Sequence, residues 1–242
     1  MQVTYLDHSG FLLEWEHSYW LFDYYKGKLP PLSPTKDIFV FCSHSHADHF
    51  NPDIFTLLSD YPLTTYIFSN ELRNACRKLE KRTGRQLPSI HFLKSRTDTL
   101  LSTLSGDVLK IHTLQSTDCG CAFYIEYNGK AIYHAGDLHW WYWEGEAPSW
   151  NQKMTADYKK EMEFLQGKRI DLCFTPLDPR QEKDYALGMN YLLANTGIHH
   201  MFPMHFWGDF SITDRFLQEY PVPEGTHFHT LQQNGQHFEI ML

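Results

Sequence analysis

Six consecutive residues, His44-Ser45-His46-Ala47-Asp48-His49, carry four side chains able to ligate a metal. They follow Asp37-Ile38-Phe39-Val40-Phe41-Cys42, a continuous apolar run with the pattern of a strand buried on both faces. Extended backbone alternates its side chains with period two, so His44 and His46 point the same way and can pinch one ion. Asp48 and His49 come as the chain turns, and can aim at a second point nearby. Imidazole nitrogen and carboxylate oxygen suit Zn²⁺ at about 2.0–2.2 Å. Two ions roughly 3.5–4 Å apart can bind and deprotonate a shared water. The plain alternative is a loop of solvated His and Asp, and the density of ligands at a strand end argues against it.

Two later segments have the same character. His134-Ala135-Gly136-Asp137 closes a strand, and Gly136 permits close approach of the backbone to a neighbour. Phe202-Pro203-Met204-His205-Phe206 closes another strand on His205. Gly-Asp alone is weak evidence, and a lone His205 is more often a core or loop histidine. Three strand ends carrying His or Asp converge on one site. Beside it, His139-Trp140-Trp141-Tyr142-Trp143-Glu144 packs three Trp into four residues. This is either a lid packed on the domain or a platform for a sugar ring or other apolar substrate face, with Trp140, Trp141 and Trp143 as the candidate contacts. Trp207 can join them. Asp178 and Arg180, after another strand end, form either a structural ion pair or a device that steers an anionic substrate.

The elements that must position these residues read as follows. Segments 11–15 and 19–22 suggest a hairpin, and a Pro-rich loop at Pro30, Pro31 and Pro34 leads to strand 37–42. A helix over 52–59, with Asn51 as its cap candidate, precedes strand 64–68 and helix 70–81. Residues 107–112 alternate like a half-buried strand. Strands 121–127 and 130–134 flank Asn128-Gly129, which suits a type I′ turn. Helix 152–166, strand 170–175, helix 182–195, strand 199–204, helix 212–219 and a β segment near 226–241 complete the order. That order fits two mixed sheets packed face to face with helices outside.

Composition narrows the function. The chain has 242 residues, 21 Lys+Arg and 29 Asp+Glu, a net charge of −8. That balance argues against a nonspecific nucleic-acid binder, which needs clustered cations. No apolar run approaches the roughly 18–20 residues of a membrane span, and the N-terminus lacks the pattern of a signal peptide. Five Cys, an odd number, argue against a disulfide framework and for a cytoplasmic location. The expectation is one domain over 1–242, a small-molecule substrate, no nucleic-acid or membrane partner, and an open oligomeric state.

The His-x-His-x-Asp-His motif, the later Gly-Asp and the late Pro-Met-His resemble the metallo-β-lactamase-fold hydrolase superfamily. The resemblance spans nearly the whole chain, including Asp7-His8-Ser9-Gly10-Phe11. Within it, the chain is most similar to metal-dependent hydrolases near the L-ascorbate-6-phosphate lactonase-like branch. It implies an α/β fold, a four-layer αββα sandwich of two mixed sheets, with a dinuclear site, usually Zn²⁺. Carried over by position, His44 and His46 would bind metal one, Asp48, His49 and His205 metal two, and Asp137 would bridge.

Family members usually give metal one a third histidine from mid-chain. Ser116 stands there in Gln115-Ser116-Thr117-Asp118-Cys119-Gly120; Asp118, two residues on, can substitute as an oxygen ligand or stand behind one, and His112 is a second candidate that reads better as a strand side chain. A carboxylate is harder than imidazole, which shifts preference toward Mn²⁺ or Fe²⁺ or makes metal one the weaker site. His8, His112, His134 and His139 are read as neighbours of the site without a metal role. The expected function is a metal-dependent hydrolase of an ester, lactone or phosphodiester, with Asp48 and Asp137 orienting the ions and the attacking water. A non-catalytic ligand-binding relative and a nuclease of the same superfamily are the alternatives.

Overall fold

The computed structural model describes residues 1–103 and 106–242. Its first sheet contains β1 (Gln2–Asp7), β2 (Gly10–Glu14), β3 (Ser18–Phe22), β4 (Asp37–Cys42), β5 (Thr64–Ser69) and β6 (Ile90–Leu93). Its second contains β7 (Asp98–Ser102), β8 (Val108–Gln115), β9 (Cys121–Tyr127), β10 (Lys130–His134), β11 (Arg169–Pro176), β12 (Gly197–Met204) and β13 (His227–Phe228). The last strand, β14 (His237–Glu239), returns to pair with β1. Among the described residues each sheet has seven strands, ordered β14-β1-β2-β3-β4-β5-β6 and β13-β12-β11-β10-β9-β8-β7. Each is part antiparallel meander and part parallel array.

Period-two alternation sorts the core. Trp20, Phe22, Phe39 and Phe41 join the larger core, where Phe22 meets Phe174 of the opposite sheet. Their neighbours Tyr19, Leu21, Ile38 and Val40 face the other way, toward Ile54 and Leu58 and toward Leu72 and Cys76. β4 is therefore apolar at consecutive positions because it is covered on both sides. The helices are α1 (Ile54–Leu57), α2 (Arg73–Thr83), α3 (Pro148–Met162), α4 (Leu187–Asn195) and α5 (Ser211–Glu219). No described helix is long and apolar enough to cross a membrane.

The expected architecture is present, with local differences. The helix expected over 52–59 is a single turn, with Asn51 Oδ1 accepting from Asp53 N. The one expected over 182–195 is broken: Glu182 takes a positive φ of 53°, which regular helix forbids, and α4 starts only at Leu187. The terminal β segment divides into β13 and β14, which pair in different sheets. At the 128–129 turn both residues have positive φ, as a type I′ hairpin requires.

Strand direction creates the functional edge. β1, β3 and β4 run the same way in one sheet, and β10, β11 and β12 are mutually parallel in the other. The residues just past their C-terminal ends are His8, Asp23, His44, Asp137, Asp178 and His205. Two glycines let the sheets meet there. A Cβ on Gly120 would lie 1.9 Å from Ser43 O, and one on Gly136 would lie 2.6 Å from Ser43 Cβ. Cys121 N donates to Ser43 O at 3.1 Å across the same seam.

Candidate metal centre

Eight side chains at this edge form two groups of potential ligand atoms, each group lying within 4.8 Å of itself. The first is His8, Asp48, His49 and His205; the second is His44, His46, Asp118 and Asp137. Asp137 reaches both. Its Oδ1 lies 3.1 Å from His49 Nε2 and 3.4 Å from His205 Nε2, while Oδ2 lies 3.4 Å from His44 Nε2. Within the second group His44 Nε2 is 3.0 Å from His46 Nδ1, which is 3.6 Å from Asp118 Oδ2. In the first, His8 Nε2 is 3.3 Å from Asp48 Oδ2.

The residues around the groups fix which nitrogen each imidazole presents. His49 Nδ1 donates to Asp23 Oδ2 at 2.8 Å, and His205 Nδ1 donates to Asp178 Oδ2 at 3.0 Å. Ser43 Oγ gives its one proton to Asp23 Oδ2 at 2.6 Å, so it accepts from His44 Nδ1 at 3.0 Å. All three rings are thereby oriented with Nε2 turned to the centre, the arrangement in which a carboxylate or hydroxyl behind a histidine orients it for a metal. The atoms His8 Nε2, His49 Nε2 and Asp137 Oδ1 are buried without a hydrogen-bond partner. Orphaned buried polar atoms are costly unless something absent satisfies them. Two of the three belong to the first group and the third, Asp137 Oδ1, lies 3.1 Å from His49 Nε2, a placement that fits a cation.

The electrostatics agree. Burial works against the charge of Asp137, yet His49, His205 and His44 together hold its carboxyl well below the usual range. Burial also opposes protonation of His49, but Asp137 and Asp23 raise it well above its ordinary value. Where no such carboxylate dominates, burial prevails: His8 and His44 are pushed down to about 4. Burial, with Asp137 close by, raises the Asp118 carboxyl. These mutual dependences are those of closely packed charges, largely buried around Asp137 and His49.

Backbone strain concentrates at the same place. His8, Asp23, His205 and Trp207 all have φ between 40° and 65°, a region non-glycine residues rarely occupy. Glu71 steadies the loop between the groups, accepting from Ser45 N and Ser45 Oγ, both at 2.8 Å.

All seven ligand candidates, His44, His46, Asp48, His49, Asp118, Asp137 and His205, are brought together. Ser116, standing where a histidine was expected, is not a member; its Oγ accepts from Asp118 N at 3.1 Å and shapes the turn that presents Asp118. His8, read as a bystander, belongs to the first group, because the strained turn after β1 carries it inward. His112 is elsewhere, stacked on Phe164. His134 spends both nitrogens on backbone, Ser9 O and Gly136 N.

The aromatic candidates divide. A cavity of about 320 Å³ over the groups is lined by Trp141, Trp143, Trp150, Trp207 and Arg180, among others. Trp140 is a correction: it packs on Tyr158 and Tyr191 and donates to Thr155, away from the cavity. Asp178 is a second correction. It is completely buried, and its carboxylate is taken up by His205 and Arg180, so it cannot touch a substrate. Asp23, Ser43 and Trp150 were not foreseen. Asp23 did leave a signal, an Asp directly after an aromatic strand, the same position the ligands take after theirs. Trp150 left none.

A family profile described as "Beta-lactamase superfamily domain" matches residues 2–142. A "UPF0173 metal-dependent hydrolase" of Heliobacterium modesticaldum is 27% identical over 219 residues, which cover 85% of this chain and 82% of the relative. Another of that description from Opitutus terrae is 28% identical over 151 residues, covering 57% and 63%. Among solved structures, the metallo-β-lactamase fold protein YhfI of Bacillus subtilis superposes with a TM-score of 0.63, covering 98% of this chain and 99% of that one at 15% identity. The last likeness concerns the fold alone, which it matches over both sheets.

Proposed function

The chain belongs to the β-lactamase superfamily, and from that premise we propose that it is a metal-dependent hydrolase that cleaves an ester, lactone or phosphodiester bond of a small molecule. One observation carries the reading: the two oxygens of Asp137 each face a different ligand group. His8, Asp48, His49 and His205 would hold one divalent ion, His44, His46 and Asp118 the other, with Asp137 between them. Zn²⁺ is the first choice for the imidazole-rich first group, and the exposed carboxylate of Asp118 leaves room for Mn²⁺ or Fe²⁺ in the second. Such ions, when bound, supply Lewis acidity to the scissile oxygen and lower the pKa of a water.

The chain's own residues do the rest. Asp23, Ser43 and Asp178 keep the imidazoles in the ligating tautomer. Trp141, only 6% exposed, and its parallel neighbour Trp143 form an apolar wall that sheds water from one side of the cavity. Asp118, half exposed at the cavity, would hold its ion from the side where substrate arrives.

The test is metal analysis of protein purified without chelator, joined to a screen of lactones, phosphodiesters and short RNA with added Zn²⁺ or Mn²⁺. Hydrolysis that chelator abolishes and metal restores is the expected result. Undiminished activity in excess chelator would overturn the reading. Tight ligand binding with no turnover on any class would favour the non-catalytic alternative.

A further inference from the structure

Arg180 lines the cavity, and its surroundings are built rather than incidental. Its Nε donates to both oxygens of Asp178 at 3.0 Å, and its Nη2 to Asp178 Oδ2 at 2.5 Å. The backbone N of Arg180 donates to the same carboxylate at 2.9 Å. The guanidinium carbon lies 4.7 Å from the Trp207 ring and 5.9 Å from the Trp143 ring. One edge of the plane is therefore taken by Asp178, and indole rings flank it. The donors left over are those of Nη1 and the second proton of Nη2, the pair that meets a carboxylate or phosphate side by side. About half of the side chain is exposed, so this end is reachable.

The remaining lining sharpens the point. Arg180 is the one Lys or Arg on the cavity wall, among the described residues. The acids there, Asp48, Asp118 and Asp137, all belong to the ligand groups. Their charge is directed at the centre, while the guanidinium of Arg180 stands beside Trp143 and Trp207, next to the first group. Asp178 joins the two regions: the oxygen that receives Arg180 Nη2 also receives His205 Nδ1. An anion on Arg180 is thus held at a fixed offset from the ligand groups.

We propose that Arg180 is a specificity-determining residue, and that the cavity takes small substrates in which an apolar or ring body carries a carboxylate or phosphate. The anion would sit on the free end of the guanidinium, the body against Trp143 and Trp207, and the scissile bond over the His/Asp groups. This rests on the hydrolase reading for the direction in which the substrate lies. The alternative role for Arg180 is to prop Asp178, and through it His205, with no contact to substrate.

Tryptophan fluorescence separates the two without turnover, because four Trp line the cavity. Benzoate, phenyl phosphate and neutral benzamide would be titrated into wild type, Arg180→Lys and Arg180→Gln, each with its metal content measured. Arg180→Gln should weaken benzoate or phenyl phosphate by about 10–100-fold, the span of a charge-assisted hydrogen bond. Benzamide should change by less than about twofold by the same reasoning, and Arg180→Lys should fall between. Loss confined to one of the two anions would support the proposal and identify the group. Equal anion binding in wild type and Arg180→Gln would overturn it. So would parallel weakening of benzamide, or a fall in metal content that accounts for the loss, since either marks a propping role. A protein that selects anions but hydrolyses nothing would sink the hydrolase reading and leave this one standing.

Discussion

His49 and His205 are buried and each gives its Nδ1 proton to a buried carboxylate, while the side chains of His46 and Asp118 are 50% and 45% exposed and are held mainly by their own loops. The two ligand groups share Asp137 and one strand edge, so topology does not distinguish them. The difference lies in what stands behind each ligand. In the first group His49 and His205 have their ring orientation set before any ion arrives, and the Nε2 atoms of His8 and His49 are buried. In the second only His44 has that support, through Ser43 and Asp23. Preorganised ligands bind with less loss of side-chain freedom, and braced imidazoles hold metals better than free ones. If both groups hold ions as proposed, the first is expected to be the stronger site and the second, with its half-exposed His46 and Asp118, the more adaptable one.

The largest expected effect removes what the groups share. Asp137→Ala should lower metal content at both and abolish hydrolysis, a loss beyond the about 10–100-fold that removal of a bracing partner typically costs. Steady-state rates and elemental analysis of the same preparation check it. Retention of one full equivalent of metal would show that the groups do not depend on a common carboxylate. The next largest effect probes the braces. Asp23→Asn should cost about 10–100-fold in metal affinity, and more than Asp178→Asn. Asp23 supports His49 directly and His44 through Ser43, whereas Asp178 supports His205 alone. Competition titrations against a chromogenic chelator give both values. Equal losses would remove Asp23 from its double role.

Much of this contrast is legible in the sequence, for physical reasons. His44, His46, Asp48 and His49 are local, and strand alternation alone relates them. Asp137 and His205 are distant but follow recognisable strands, and parallel strands end at a common edge. What escaped required knowing packing. Asp23 is a lone acid whose partners, at Ser43 and His49, are 20 and 26 residues away. His8 depends on the strained turn after β1, a strand whose residues do not advertise an inward-turning end. Among the three Trp, spacing does not say which ring turns inward, and Trp140 turns to α3 and α4 instead. Asp178 follows a strand end as the ligands do, yet its carboxylate is taken by His205 and Arg180. The break at Glu182 is likewise invisible to helical periodicity, since a positive φ is a tertiary demand.

Graded metal removal sharpens the comparison further. With increasing chelator the second group should empty first, so metal content falls in two steps rather than one. Asp118→Asn should move only the early step, by about tenfold in affinity, because it alters a half-exposed ligand and leaves the braces of the first group untouched. Elemental analysis after dialysis at each chelator concentration records both steps. A single step releasing both ions together would mean that Asp137 couples the groups more strongly than their surroundings separate them.

The smallest effect concerns acid. In chelated protein the folded state holds His8 at about 4 because burial disfavours its cation, against an ordinary value of 6.5. The unfolded chain therefore binds the extra proton first as pH falls; stability starts to fall as pH approaches 6.5 and is lost chiefly between 6.5 and about 4. At pH 5.5 the cost from this one group is about 1 kcal/mol relative to pH 7.5. His8→Phe removes the titration while keeping an aromatic ring beside Trp207 and His205. Urea denaturation of chelated wild type and variant at the two pH values should give a smaller pH difference for the variant. An unchanged difference would mean that His8 is hydrated in the metal-free protein, and the first group would then lack the dryness that sets it apart from the second.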